Sequence, residues 1–261
     1  MCADCSHDSA VGQRCAECAK PRGRNRVVSS RDLSRNSFSA TPVTFTLIGI
    51  SVALFVGGFV SRDFDEVLTE FLALGEFVRQ GGALFVAPLD NVDPWRVLTS
   101  AFLHANLTHI LFNMYAVYLF GPRLEREAGA APYALTYLAA AAAGGLAFLV
   151  ARAGEATLAV GASGAVFGLF GVWLVATFRM RRNPAGRAMF NQLLVLLGIN
   201  AALPIFIPNI AWEAHAGGLV AGGLIGYLWG QFAAGRANSV QIRAIIAAAV
   251  FVVAMVAVVL I

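Results

Sequence analysis

Seven apolar stretches set the pattern of this chain: residues 43–60, 107–124, 133–151, 163–178, 188–207, 211–232 and 240–261. Each approaches the ~20 residues that a helix needs to cross the hydrocarbon of a bilayer, so the pattern predicts seven membrane-spanning helices. The stretch at 163–178 is the shortest, as expected of a helix that starts below the membrane surface. About forty polar residues, rich in Ser and Arg, precede the first stretch. A long connection, 61–106, separates the first two. It begins acidic, with Asp63, Asp65, Glu66, Glu70 and Glu76, and continues through Gly81-Gly82, Pro88 and Pro94-Trp95-Arg96. Its apolar pieces, 71–74 and 83–86, are too short to span, and the expectation is a re-entrant or amphipathic element in the interface. Trp95 suits an interfacial anchor.

Composition supports a membrane protein. Of 261 residues, 58% are hydrophobic and 13% charged, and the mean hydropathy is +0.70. Soluble domains carry roughly 25% charged residues. The net charge of +4 is small, and nothing in its distribution argues for nucleic-acid binding. Placing the seven stretches in a bilayer leaves fifteen Lys and Arg on one side. Only four, Arg62, Arg79, Arg96 and Arg152, lie on the other. Positive charge marks the cytoplasmic side, which predicts an internal N-terminus and an external C-terminus. The first forty residues contain no apolar signal core, so the first stretch is expected to act as an uncleaved anchor.

On this topology, the second, fourth and sixth stretches run in the same direction and open with polar residues at similar depth. His109 and Asn113 begin the second, Ser163 the fourth and His215 the sixth. Polar groups are costly in lipid, and a serine activated by a histidine is a sufficient reason for them. Ser163 stands in Gly161-Ala162-Ser163-Gly164. Gly161, Gly164, Gly168 and Gly171 share one helix face, while Gly218, Gly222 and Gly226 recur every four residues on the other helix. Small-residue faces allow close backbone approach in lipid, which would bring Ser163 and His215 together. His109 and Asn113, four apart, point the same way. Both can donate to the negative oxygen of a tetrahedral intermediate; the plainer reading is hydrogen bonding between helices. His104 is expected to order the loop before the second stretch. Glu213, the only acid near His215, lies two residues away on the wrong side of a helix to orient that ring.

The four cysteines form a separate pattern. Cys2, Cys5, Cys15 and Cys18 make two C-x2-C pairs, a spacing that can close a tetrahedral zinc site. Cytoplasmic placement favours a metal over disulfides, and His7 could replace one ligand. The alternative is a disordered tail with four free thiols. The basic segment that follows suits anionic inner-leaflet lipid.

Taken in order, these residues resemble the rhomboid family of intramembrane serine proteases. The resemblance runs through Trp95-Arg96, His104, His109 with Asn113, and Gly121 with Glu125 and Gly129. It continues through Gly161-Ala162-Ser163-Gly164 to Ala214-His215-Ala216-Gly217-Gly218 with Gly222. It implies an all-α polytopic membrane protein: a six-helix rhomboid-like bundle over 43–234 and a seventh transmembrane helix over 235–261. A short cytoplasmic zinc-ribbon-like head with four cysteine ligands, 1–20, and a basic linker, 21–42, would precede them.

By the same resemblance, Ser163 is the nucleophile and His215 the general base, with no carboxylate partner. His109, Asn113 and the Ser163 backbone N–H form the oxyanion site. Trp95 and Arg96 belong to the external loop, and Glu125 holds the turn after the second span. Gly161, Gly164, Gly218 and Gly222 support the site, and Phe167 stands where the family often has a tyrosine stacked on the histidine. The expected substrates are single-pass or polytopic membrane proteins, with lipids as surroundings. The site would open to the external face, and catalysis would need no cofactor; the absence of a transit peptide, with the arginine-rich internal loops, separately favours a bacterial plasma membrane. A non-catalytic rhomboid-like protein that retains membrane helices is the alternative; it would normally lack Ser163 or His215. A solute transporter would show internal repeats and midplane polar sites, and neither is present in the sequence.

Overall fold

The computed structural model describes residues 6–9, 12–15, 40–206 and 210–261. Two compact units result, Met1–Ser39 and Ala40–Ile261. In the first, strands β1 (Ser6–Ser9) and β2 (Gly12–Cys15) form an antiparallel hairpin that pairs Ser6 with Cys15. Cys2, Cys5 and Cys18, three of the four expected zinc ligands, lie outside the described residues.

The second unit is mostly helical. Its elements are α1 (Pro42–Val60), α2 (Arg62–Leu72), β3 (Leu74–Gln80), β4 (Ala83–Ala87), α3 (Arg96–Thr99) and a 3-10 turn (Ser100–Phe102). After these come α4 (Leu107–Ala128), α5 (Ala130–Ala151), β5 (Leu158–Ala159), α6 (Ser163–Met180), α7 (Pro184–Phe206), α8 (Trp212–Phe232) and α9 (Ser239–Leu260). The seven helices of eighteen residues or more coincide with the seven apolar stretches to within a few residues. Five of them, α1, α5, α6, α7 and α9, are long and apolar enough to cross a membrane. Helices α4 and α8 have the length, but they carry His109, Asn113, Glu125, Glu213 and His215, which lowers their apolar character.

The connection 61–106 departs from expectation. Residues 62–72 form an amphipathic helix whose N-cap Ser61 accepts from the Phe64 N–H. The segment 83–86 is no re-entrant piece, because it pairs with β3 in a two-residue hairpin. Gly81 (φ 59°) and Gly82 (φ 88°) supply the positive φ that such a turn requires. The sheet order is β4-β3-β5, so the second unit is not purely helical. Its third strand, β5, ends three residues before Ala162 and leads into α6.

The core lies where α4, α5, α6 and α8 meet. Val117, Tyr133, Ala139, Leu169 and Ile225 are fully buried there. Helix α9 contributes Ala247 to this core and Ala254 and Val258 to a neighbouring cluster against α5.

The α6–α8 seam is made of backbone. A Cβ on Gly218 would collide with the Gly164 carbonyl, one on Gly222 with that of Gly168, and one on Gly171 with that of Leu219. Gly144 of α5 also sits close to α8, where a Cβ would stand 2.7 Å from the Ala214 carbonyl.

Glu125 corrects its expected partner. It is 2% exposed and reaches across to α1, accepting from the N–H groups of Val43 (2.9 Å) and Thr44 (2.8 Å) and from the Thr44 hydroxyl (2.7 Å). Helix starts leave N–H groups without partners, so a carboxylate there satisfies donors and the helix dipole together. Glu125 also closes the turn after α4, through its backbone: its carbonyl accepts from the N–H of Gly129, which stands at φ 102°.

Candidate active site

Four segments meet near the start of α6. Ser163 is the first residue of that helix and is half-buried. The preceding turn is held by Gly161, whose N–H donates to the Ser100 carbonyl at 2.9 Å. Gly161 has φ 125°, and a Cβ there would stand 2.6 Å from His109 Nε2. Only glycine fits both the conformation and the space.

His109 and Asn113 face this turn from α4. Asn106 caps the helix by accepting from the His109 N–H at 2.9 Å, which fixes the first turn. Asn113 is 6% exposed, and its Nδ2 donates to the His109 carbonyl at 3.1 Å. That nitrogen lies 3.8 Å from the position of a Gly161 Cβ. Both side chains therefore converge two residues before Ser163.

His215 comes from the first turn of α8. Phe167, one turn after Ser163, stacks on it with ring centroids 4.3 Å apart and planes inclined by 7°. Phe170 in turn meets Phe167 edge-on and tilts against Phe120 of α4. Trp173 adds a second tie to α4 by donating to the Phe120 carbonyl at 3.3 Å. Among the described residues, no hydrogen bond joins Ser163 to His215; such bonds are commonly long before substrate binds.

His104 lies closer to this cluster than a loop-ordering residue would need to. Its ring meets that of His109 edge-on at 5.2 Å, and both of its nitrogens are buried. Burial, with His109 alongside, pulls its pKa down to about 4, so it meets His109 as a neutral ring at pH 7.

Trp95 is 53% exposed and stands outside the cluster, at the start of α3. Arg96 is buried and organises the connection. Its guanidinium donates to the carbonyls of Glu70 (2.6 Å) and Ala73 (3.1 Å) and to Asp93 (2.9 Å). Glu213 does not approach the His215 ring as a partner; it pairs with Arg152 at the end of α5.

A cavity of about 360 Å³ adjoins His215 on the α7 side. Phe167, Leu197, Asn200, Ala201, Trp212 and Leu219 line much of it. Sequence reasoning missed this feature. It arises because α8 packs closely on α5 and α6 while α7 diverges from it, a tertiary effect with no local signal.

A model of the Rhomboid domain matches residues 91–232, just over half of the chain and all of this cluster. The chain belongs to the rhomboid family. Two relatives come from Bacillus subtilis. One, YdcA, is named as a candidate rhomboid protease and is 36% identical over 53% of this chain and 68% of its own length. The other, the rhomboid protease GluP, is 28% identical over 84% of this chain and 42% of its own. RHOMBOID-like protein 1 of Arabidopsis thaliana is 36% identical over 52% of this chain and 34% of its own length. The chain thus spans half or less of the last two relatives. Family and apolar helices together make this an integral membrane protein.

Proposed function

We propose that this rhomboid-family protein is an intramembrane serine endopeptidase acting on helices of other membrane proteins. The observation that carries the reading is the convergence on the Gly161–Ser163 turn of His109 and Asn113 from one side and of the Phe167–His215 stack from the other.

In the proposed reaction, Ser163 Oγ attacks the scissile carbonyl while His215 takes its proton. The carbonyl oxygen becomes negative and accepts from His109, Asn113 and the Ser163 backbone N–H. That N–H is unpaired by helix geometry, because Ser163 opens α6. His215 then passes the proton to the departing amine, leaving an acyl group on Ser163. Water attacks that ester as His215 takes its proton; the bond to Ser163 Oγ then breaks, His215 returns the proton to Oγ, and the second product leaves as the carboxylic acid. Apart from the water, all of this is done by groups of the chain itself, without a cofactor.

A substrate helix hides its carbonyls in its own hydrogen bonds, so it must unwind locally to reach Ser163. Substrates with small or helix-breaking residues near the cut are therefore favoured. The chain lies in a bacterial plasma membrane with its long helices arranged as six core helices plus α9. Its N-terminus is cytoplasmic and its site opens externally, in keeping with the arginine distribution.

An activated serine should react with a fluorophosphonate. Incubation of the purified protein should give one adduct per chain, and peptide mapping should place it on Ser163. An adduct elsewhere, or none on a protein of native stability, would remove the nucleophile from this reading.

We also propose zinc for the N-terminal cysteines. The support is the β1–β2 hairpin, whose last residue, Cys15, opens the second C-x2-C pair and is paired with Ser6, next in sequence to Cys5, an arrangement that suits paired-knuckle sites. Elemental analysis of protein purified without chelator should give about one zinc per chain, falling below a tenth in the Cys15→Ser, Cys18→Ser variant. Zinc that persists in that variant would refute the site.

A further inference from the structure

Arg152 ends α5, its N–H donating to the Phe148 carbonyl at 2.9 Å. It touches neither Ser163 nor His215, yet its guanidinium reaches the segments that deliver both. Nε donates to Glu213 Oε1 at 2.7 Å. Glu213 is 5% exposed, lies in the first turn of α8 and precedes His215 by two residues. Nη1 donates to Glu155 Oε2 at 3.1 Å. Glu155 sits in the connection that runs through β5 to Ser163, and its carbonyl accepts from the Leu89 N–H at 3.2 Å.

The two halves differ in weight. The Arg152–Glu155 pair is solvated on both sides, and such pairs contribute little. The Arg152–Glu213 pair is half withdrawn from solvent, because the Glu213 side chain is 6% exposed. Its second oxygen has no partner among the described residues, so Arg152 is the carboxylate's compensating contact. Removing one member of a buried pair leaves the other charged and bare. On the opposite side of the same turn lies the 360 Å³ cavity, with Trp212 54% exposed at the helix start. The first turn of α8 is therefore restrained from the α5 side and free on the α7 side.

We infer that Arg152 is a positioning residue that holds the His215 turn, through Glu213, against the end of α5. Its kinetic consequence rests on the serine-protease reading; its structural consequence does not.

The test uses full-length protein in liposomes with a model transmembrane substrate, alongside amide hydrogen exchange. Arg152→Gln and Glu213→Gln should each lower kcat about 10- to 100-fold while KM stays within about twofold, because alignment is lost and substrate contacts are not. Arg152→Lys keeps charge without the planar fork and should recover part of the loss. Glu155→Gln should stay within about twofold of the wild type. In Arg152→Gln, exchange should quicken in residues 211–215 and stay unchanged in the rest of the bundle; Glu155→Gln should leave 211–215 unaltered. Two results would overturn the inference: kcat within about twofold in both glutamine variants, or exchange that is unchanged or raised throughout the bundle. If the wild type cleaves nothing, the protease reading fails, and the exchange pattern alone decides the role of Arg152.

Discussion

Replacement of Ser163 or His215 by alanine is expected to lower cleavage of a model transmembrane substrate by about 10⁴-fold or more, with the double variant no worse than either single one. The non-additivity follows from the chemistry. Without the hydroxyl there is no nucleophile for the imidazole to activate, and without the imidazole the hydroxyl keeps its proton. Both side chains are half-buried and neither fills the core, so the variants should fold and unfold like the wild type. That makes turnover and thermal stability a matched pair of readouts. A Ser163→Ala protein that retains one part in a hundred of the wild-type rate at unchanged stability would show that another group carries the reaction. Loss of rate with a parallel loss of stability would leave the assignment to the fluorophosphonate adduct.

The second large effect is expected from a single methyl group. Gly218→Ala should destabilise the protein by about 3 kcal/mol or more and abolish cleavage, since overpacking of a tight contact costs typically 1–3 kcal/mol even where side chains can yield. Here the obstacle is the Gly164 carbonyl, part of the turn that carries Ser163, and no rotamer change relieves it. Helix α8 must separate from α6, taking His215 with it. Gly223, five residues along the same helix, has nothing within 4 Å of a Cβ. Gly223→Ala should be neutral or stabilise by about 0.5 kcal/mol, because alanine restricts the unfolded chain. Equal effects at the two positions would show that α6 and α8 do not make this contact, and unfolding in detergent measures both.

The long helices were legible in the sequence because each satisfies a length requirement imposed by the bilayer, which is insensitive to tertiary detail. The glycine seam was legible too, since glycines recurring at three and four residues on one helix and at four on another mark faces that pack closely. The positions of β3 and β4 were hidden by a different cause. Their residues are short and mixed, and an apolar run of four or five serves an interfacial piece as well as a strand. Only the Gly81-Gly82 pair distinguishes them, as the turn of a hairpin. Glu125 and Glu213 were placed by sequence neighbours, whereas their partners lie 82 and 61 residues away. A carboxylate names the kind of partner it needs and not where the chain will supply it. The same holds for His104, whose contact with His109 depends on the path of the loop between them.

The direction of those two distant pairings has a consequence for biogenesis. Glu125 on α4 finds its donors at the start of α1, and Glu213 on α8 finds Arg152 at the end of α5. In each case the buried acid belongs to the later-synthesised helix and its partner to one already made. An unpaired acid costs about 2.5–3.5 kcal/mol at the centre of a membrane helix, and a smaller penalty of the same sign applies near the helix ends, where Glu125 and Glu213 lie. A chain that emerges from the ribosome in this order meets each such cost with the compensating donor waiting. Reversing the order of synthesis, as in a circular permutant that begins at α8, would send Glu213 into the bilayer before Arg152 exists.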